Sequence, residues 1–179
     1  MIRWEDYCVA NPDALETPAM LLFEEIINHN IESVCSLVDG GENLMAHVKT
    51  HKSEAIVRKQ VARGIAGFKC ATLKELDMVL RAGAKQAILA YPQCQHLKIE
   101  RLCDLTSANP DAWISAIASS RFHVDILTAV VERRNQALNV MLDLDTGMHR
   151  TGIGFGEDAA ALYRKIHEHP LLQAAGFHL

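Results

Sequence analysis

The 179-residue sequence predicts an α/β fold built on a parallel sheet. Two observations predict it. Short apolar runs alternate with amphipathic stretches along nearly the whole chain, the rhythm of repeated β-α-β units. Turn and cap signals fall between them, at Asp39-Gly40-Gly41, Gly64, Gly83 and Pro92. Units of this kind connect by right-handed crossovers, which makes their strands parallel. Two architectures fit: an open doubly wound sheet, or a (β/α)8 barrel of TIM type. No Gly-x-Gly-x-x-Gly follows the first apolar run, which weakens the dinucleotide-binding version of the open sheet. A closed barrel normally takes about 250 residues and this chain supplies about six units, so as a barrel it is incomplete.

The elements follow in order. Residues 17–23 (TPAMLLF) read as a strand after a polar lead-in. Glu24–Leu37 has helical spacing through Ile26, Ile27, Ile31 and Val34, closed by the Asp39-Gly40-Gly41 turn. Residues 44–49 (LMAHVK) form the next short apolar run. Ser53 is the N-cap of a helix reaching Arg63, with Gly64 at its C-terminal cap. Residues 67–71 are a strand. Thr72 caps the following helix, with Glu75 three residues on in a capping-box pattern, and Leu73, Leu76, Val79 and Leu80 supply its apolar face. Residues 86–91 are a strand broken by Pro92, after which helical spacing resumes through Leu97, Ile99 and Leu102. Residues 121–126 read as strand-like and 125–134 as helical. Residues 138–144 (LNVMLDL) are the clearest buried strand, 145–156 a Gly-rich loop, Glu157–Glu168 a helix, and 173–179 a last strand.

Composition narrows the function. An apolar fraction of 49% with 22% charged residues is globular, which excludes disordered and fibrous classes. A net charge of -4 and a pI of about 6.1 argue against nucleic acid or an anionic membrane as partner, since either needs a basic face. No apolar run approaches the ~20 residues of a membrane span. Met1-Ile2-Arg3-Trp4-Glu5-Asp6 lacks a basic-then-apolar leader pattern, so a cytoplasmic location is expected. The 5 cysteines are odd in number and form no close pair, which speaks against a disulfide framework or a zinc knuckle.

Three strand ends hold unusual polar residues. The first is His47-Val48-Lys49-Thr50-His51-Lys52, at the C-terminal end of an apolar strand. Parallel α/β folds bind their ligands at that end. A lysine there is expected to be partly withdrawn from water, which favours its amine as a nucleophile toward a carbonyl. Strand alternation puts His47, Lys49 and His51 on one face, opposite Ala46, Val48 and Thr50. Lys49 is therefore the candidate, while Lys52 belongs to the following loop; a solvated basic loop is the alternative. The second end runs from Asp143 to Gly152, where Gly147 and Gly152 allow tight turns and Arg150 offers a planar donor fork to an anionic oxygen. A turn with a surface arginine is the alternative there. The third is Gly176-Phe177-His178-Leu179, whose histidine reads most simply as a satisfied core residue. His167 and His169 lie two apart on a helix, do not share a face, and make no metal site.

Taken in order and spacing, TPAMLLF, AHVKTHK, GFKCATLKE, ILAYPQ, DLDTGMHRTGIGFG and AGFHL resemble the alanine-racemase-like (fold-type III) pyridoxal-phosphate enzymes, in their D-threonine aldolase and D-serine dehydratase branch. The resemblance runs from about Thr17 onward. HVKTHK followed by CAT and DTGMHRTG is specific as a set, although each piece alone is weak.

The resemblance implies an N-terminal (β/α)8 barrel and a C-terminal β domain. Residues 1–43 would then be an N-terminal segment with a strand of the β domain and a first helix, and residues 44–179 a partial barrel that has reached about its sixth strand. The phosphate-binding loop, the metal-ligand pair and most of the β domain are expected beyond this chain, which on that reading is truncated and exposes strand edges. The resemblance further implies that Lys49 binds pyridoxal 5'-phosphate covalently and that Arg150 hydrogen-bonds the cofactor's phenolic oxygen. His47 and His51 would line the cofactor pocket. Asp143 stands where alanine racemases commonly place a lysine, often carbamylated, and would supply a negative charge near Arg150. A divalent metal, manganese or zinc, is expected on ligands outside this chain. The implied activity is a lyase for D-3-hydroxy amino acids, cleaving D-threonine-type substrates to glycine and an aldehyde. D-serine dehydratase, a non-catalytic pyridoxal-phosphate binder and an inactive fragment are the alternatives. The expected partners are a small-molecule D-amino acid and, in the full-length form, a second copy as a homodimer.

Overall fold

Apolar side chains at helical and strand spacing set the fold. The computed structural model describes residues 7–179; residues 1–6, read above for a leader pattern, lie outside the described residues. The order is α1 (Glu24–Leu37), β1 (Met45–His47), α2 (Glu54–Ala62), β2 (Gly67–Cys70), α3 (Leu73–Arg81), β3 (Gln86–Leu89), α4 (His96–Ala108), β4 (Trp113–Ala118), α5 (Arg121–Arg134), β5 (Leu138–Asp143), α6 (Glu157–Glu168) and β6 (Leu172–His178). The caps read from the sequence form: Ser53 Oγ accepts from Ile56 N, and Thr72 Oγ1 accepts from Glu75 N. Glu75 reaches back to the backbone N–H of Ala71 at 2.7 Å, completing a capping box one residue early.

All neighbouring strands pair in parallel, and the spatial order β1-β2-β3-β4-β5-β6 is the chain order. A doubly wound sheet reverses direction at a switch point. This one never does, so it is the progression of a (β/α)8 barrel, present as six strands with a helix after each of the first five. One face of the sheet meets the helices. Phe68, Leu89, Ile114, Val140 and Leu142 are buried there against Leu76, Ile99, Leu102, Val130 and Ile166. Each such side chain contributes roughly 1.5–3 kcal/mol by leaving water. Strand alternation turns the other residues to the concave face, where His47, Lys69, Ile88, Ser115 and Asn139 form one row by register. That face is far more polar than the helix-packed one.

Three expectations are corrected. Residues 17–23 are not a strand: they are irregular and exposed, with Met20 76% and Leu22 56% accessible. A strand needs a partner for its backbone N–H and C=O groups, and among the described residues this segment has none. Residues 121–126 belong to helix α5, not a strand. Phe122, Val124 and Ile126 alternate with Arg121, His123 and Asp125, which imitates strand period, but Val124, Leu127, Val130 and Val131 are the buried helical face and Phe122 is exposed. The fourth strand is β4 (WISAIA), which the sequence reading passed over. Strand β1 stops at His47, and residues 48–50 continue as a 3-10 turn. Among the described residues, no helix is long and apolar enough to cross a membrane.

Candidate active site

The C-terminal ends of the six strands gather the polar residues singled out by sequence. Because β1 ends at His47, the expected common face of His47, Lys49 and His51 does not form. Lys49 lies in the 3-10 turn and its side chain is exposed, not partly withdrawn from water as expected. Among the described residues no carboxylate pairs with its ammonium. Its backbone N–H donates to His47 Nδ1 at 3.4 Å. His47 is half-buried, and burial together with the Lys49 charge pushes its pKa down. His51 turns its Nδ1 to accept from Ser53 N at 3.1 Å, leaving Nε2 buried without a hydrogen-bond partner. Burial lowers its pKa as well, against the pull of the Glu75 carboxylate.

Asp143, at the end of β5, is only 2% exposed. Its hydrogen-bond partners are Ser119 and His178. Ser119 Oγ donates to Oδ2 at 2.9 Å, and His178 Nδ1 donates to Oδ1 at 2.6 Å. Register places Asp143 directly opposite His178 on β6.

Arg150 stands exposed on the loop after β5. The loop is built by Asp145: Oδ1 accepts from the backbone N–H of Gly147 (2.9 Å) and His149 (3.0 Å), and Oδ2 accepts from His149 Nδ1 (2.7 Å). Those donors, the backbone ones first, hold its carboxyl down at about 2. Gly152 (φ +96°) lets the returning strand pass against Leu144 and Asp145; a Cβ there would lie 2.4 Å from Asp145 N. Backbone bonds from Ile153 N to Asp143 O and from Asp145 N to Ile153 O close the loop, both at 2.9 Å.

The structure adds residues that the sequence reading missed. Lys69 sits on the concave face of β2 beside His47; burial and the Lys49 charge lower its pKa while Asp143 raises it. A charged residue between Phe68 and Cys70, both fully buried, was the available signal. Ser119 follows the overlooked β4. His123 takes hydrogen bonds on Nδ1 from Ser119 N (3.3 Å) and Ser120 Oγ (3.0 Å), and its Nε2 lies 3.3 Å from Cys94 Sγ. His178, read as a core residue, is instead the partner of Asp143.

The arrangement therefore offers an exposed primary amine, a second amine and an imidazole beside it, and a buried carboxylate–imidazole pair, all at the ligand-binding end of a parallel sheet.

Comparison with known proteins places this geometry in context. Residues 24–178 match the family model described as alanine racemase, N-terminal domain. D-threo-3-hydroxyaspartate dehydratase of Delftia sp. (strain HT23) is 27% identical over 157 residues, which span 86% of this chain and 40% of that protein. 3-Hydroxy-D-aspartate aldolase of Paracoccus denitrificans (strain Pd 1222) is 23% identical over 141 residues, 78% of this chain and 36% of that protein. The chain thus spans less than half the length of these curated relatives. Among solved structures, D-threonine aldolase from Filomicrobium marinum superposes with a TM-score of 0.80 at 22% identity, over 91% of this chain and 43% of that one.

Proposed function

The chain belongs to the alanine racemase N-terminal domain family, and from that premise we propose that it serves a pyridoxal-phosphate-dependent lyase acting on D-3-hydroxy amino acids, with D-threonine-type cleavage to glycine and an aldehyde as its reaction. The observation that carries the reading is the amine of Lys49, unpaired and accessible at the C-terminal end of β1, above a polar concave face. The names of the Delftia dehydratase and the Paracoccus aldolase support the substrate class.

The residues fit the cofactor. An aldehyde needs a primary amine, which Lys49 offers. Among the described residues, two buried imidazole nitrogens, His51 Nε2 and His178 Nε2, have no hydrogen-bond partner, which suits a polar group bound there. When bound, pyridoxal phosphate withdraws the electron pair released as a bond to the substrate's α-carbon breaks. Lys49 would hold it through its ε-amine. Arg150, at the loop tip, supplies a charged donor fork for an anionic ring oxygen. His47, whose pKa is pushed down by burial and by the Lys49 charge, would stand beside that amine. Among the described residues no three His, Cys, Asp or Glu side chains are placed to hold a metal, so no step is assigned to one.

Borohydride reduction of the protein incubated with pyridoxal phosphate, followed by peptide mapping, tests the reading. The adduct is expected on Lys49. An adduct on Lys52 or Lys69 would move the function of the amine elsewhere, and no adduct would remove the cofactor. The Delftia relative favours one second reading, β-elimination of the hydroxyl group. Glycine from D-threonine supports the aldolase; ammonia and a keto acid from D-serine or a D-3-hydroxy amino acid support the dehydratase.

A further inference from the structure

The concave face holds one polar arrangement that the proposed chemistry has not used, the buried Asp143–His178 pair. We propose that His178 is a positioning residue that accepts, on Nε2, a hydrogen bond from the protonated ring nitrogen of the bound cofactor. This rests on the pyridoxal-phosphate reading and deepens it.

Tautomer logic comes first. The 2.6 Å contact pairs His178 Nδ1 with Asp143 Oδ1, and the tautomer that donates there carries its proton on Nδ1. In the neutral ring Nε2 is then a lone pair. That nitrogen is buried and has no hydrogen-bond partner among the described residues. A buried polar atom left unpaired destabilises the fold. A histidine present only for packing would be expected to satisfy both nitrogens.

The backbone is shaped to aim it. The β5–β6 register shifts between Val140 and Leu142, and Gly176 adopts φ +100°. Such an irregularity re-aims the side chains that follow it. Phe177, on the opposite face, stacks on Tyr163 of α6 at 4.7 Å. His178 is thereby turned to the concave face and set opposite Asp143.

Charge identifies the donor. The contacts of the Asp143 carboxylate are a hydroxyl and an imidazole, with no cation touching it. The Lys69 ammonium acts on that carboxylate without hydrogen-bonding it; a protonated heteroaromatic nitrogen on the far side of the imidazole adds a positive charge in line with the pair, whereas a hydroxyl group adds only a dipole.

The test compares binding of pyridoxal phosphate with that of its 1-deaza analogue, in which C–H replaces the ring nitrogen, to the full chain. The wild-type protein is expected to bind pyridoxal phosphate about tenfold more tightly, the range of one hydrogen bond to a charged group. His178→Phe is expected to bind both alike, and His178→Gln, which keeps an acceptor, to restore part of the difference. Equal binding by the wild type, or discrimination that survives His178→Phe, would overturn the proposal. Should His178→Phe fail to fold, the imidazole 15N signals of the wild type decide: Nε2 is expected to move with pyridoxal phosphate and not with the deaza analogue, and movement with both or neither refutes the contact. The borohydride adduct separates the two claims. A Lys49 adduct without ring-nitrogen discrimination defeats only the role of His178; absence of any adduct defeats both.

Discussion

Nδ1 of His178 lies 2.6 Å from Oδ1 of Asp143, joining the C-terminal ends of β6 and β5 through side chains as well as backbone. Ser119 binds the second oxygen from β4, so one carboxylate ties three consecutive strands. Replacing Asp143 by Ala leaves an imidazole and a hydroxyl without their acceptor. The expected loss is about 2–4 kcal/mol, read as a lower urea midpoint with an unchanged slope. Asp143→Asn, which retains an acceptor oxygen, should lose less. A wild-type midpoint for Asp143→Ala would show that the pair is not integral to the fold.

Acid should destabilise the protein before its carboxylates titrate. Burial holds His47, His51 and His123 below the ordinary value of 6.5. Between the folded value and 6.5 the unfolded chain therefore binds more protons than the folded one, and stability rises with pH through that window. Thermal midpoints are expected to fall as pH drops from 7 to 5, and His51→Gln should flatten the slope. A flat profile above pH 5 would contradict the burial of these rings.

Cysteine reactivity should follow depth. Burial raises the thiol of Cys70 to about 12 and pushes that of Cys103 up as well, while Cys94 is exposed. At pH 8, iodoacetamide is expected to modify Cys94 in the native protein and to reach Cys70 and Cys103 only after denaturation. Native labelling of Cys70 would mean that the β2–α3 layer opens readily.

Arg150 separates stability from binding. Its side chain is exposed and makes no hydrogen bond among the described residues. Arg150→Ala should leave the melting temperature within about a degree or two, since exposed substitutions usually fall within ±0.5 kcal/mol. Retention of pyridoxal phosphate should fall about tenfold, the scale of one hydrogen bond to a charged group. Unaltered retention would reduce the loop tip to a solvated turn.

Periodicity exposed most of the architecture. Where strand and helix each had their own spacing and caps, as at Ser53, Thr72 and residues 138–144, the sequence reading and the structure agree. It failed where local pattern and tertiary context disagree. Phe122, Val124 and Ile126 alternate like a strand, but the Ser120 cap and the Val124-Leu127-Val131 face prevail. Residues 17–23 have strand composition and nothing to pair with among the described residues. At the candidate site, Lys49, His47, His51, Asp143 and Arg150 stand out in the sequence because they interrupt apolar runs or sit among glycines. Ser119, Lys69 and the true partner of Asp143 were not, because register across strands is invisible in a linear string. His178 is 35 residues from the carboxylate it binds.

The order of the strands in space repeats their order in the chain. No strand waits for a remote segment to complete a pairing: each is separated from its neighbour by a single helix and its loops. Loop-closure entropy is then met in small equal steps, so assembly can advance from one end, unit upon unit, as a growing polypeptide leaves the ribosome. The polar contacts of Asp143 consequently close only once β4, β5 and β6 have all been laid down.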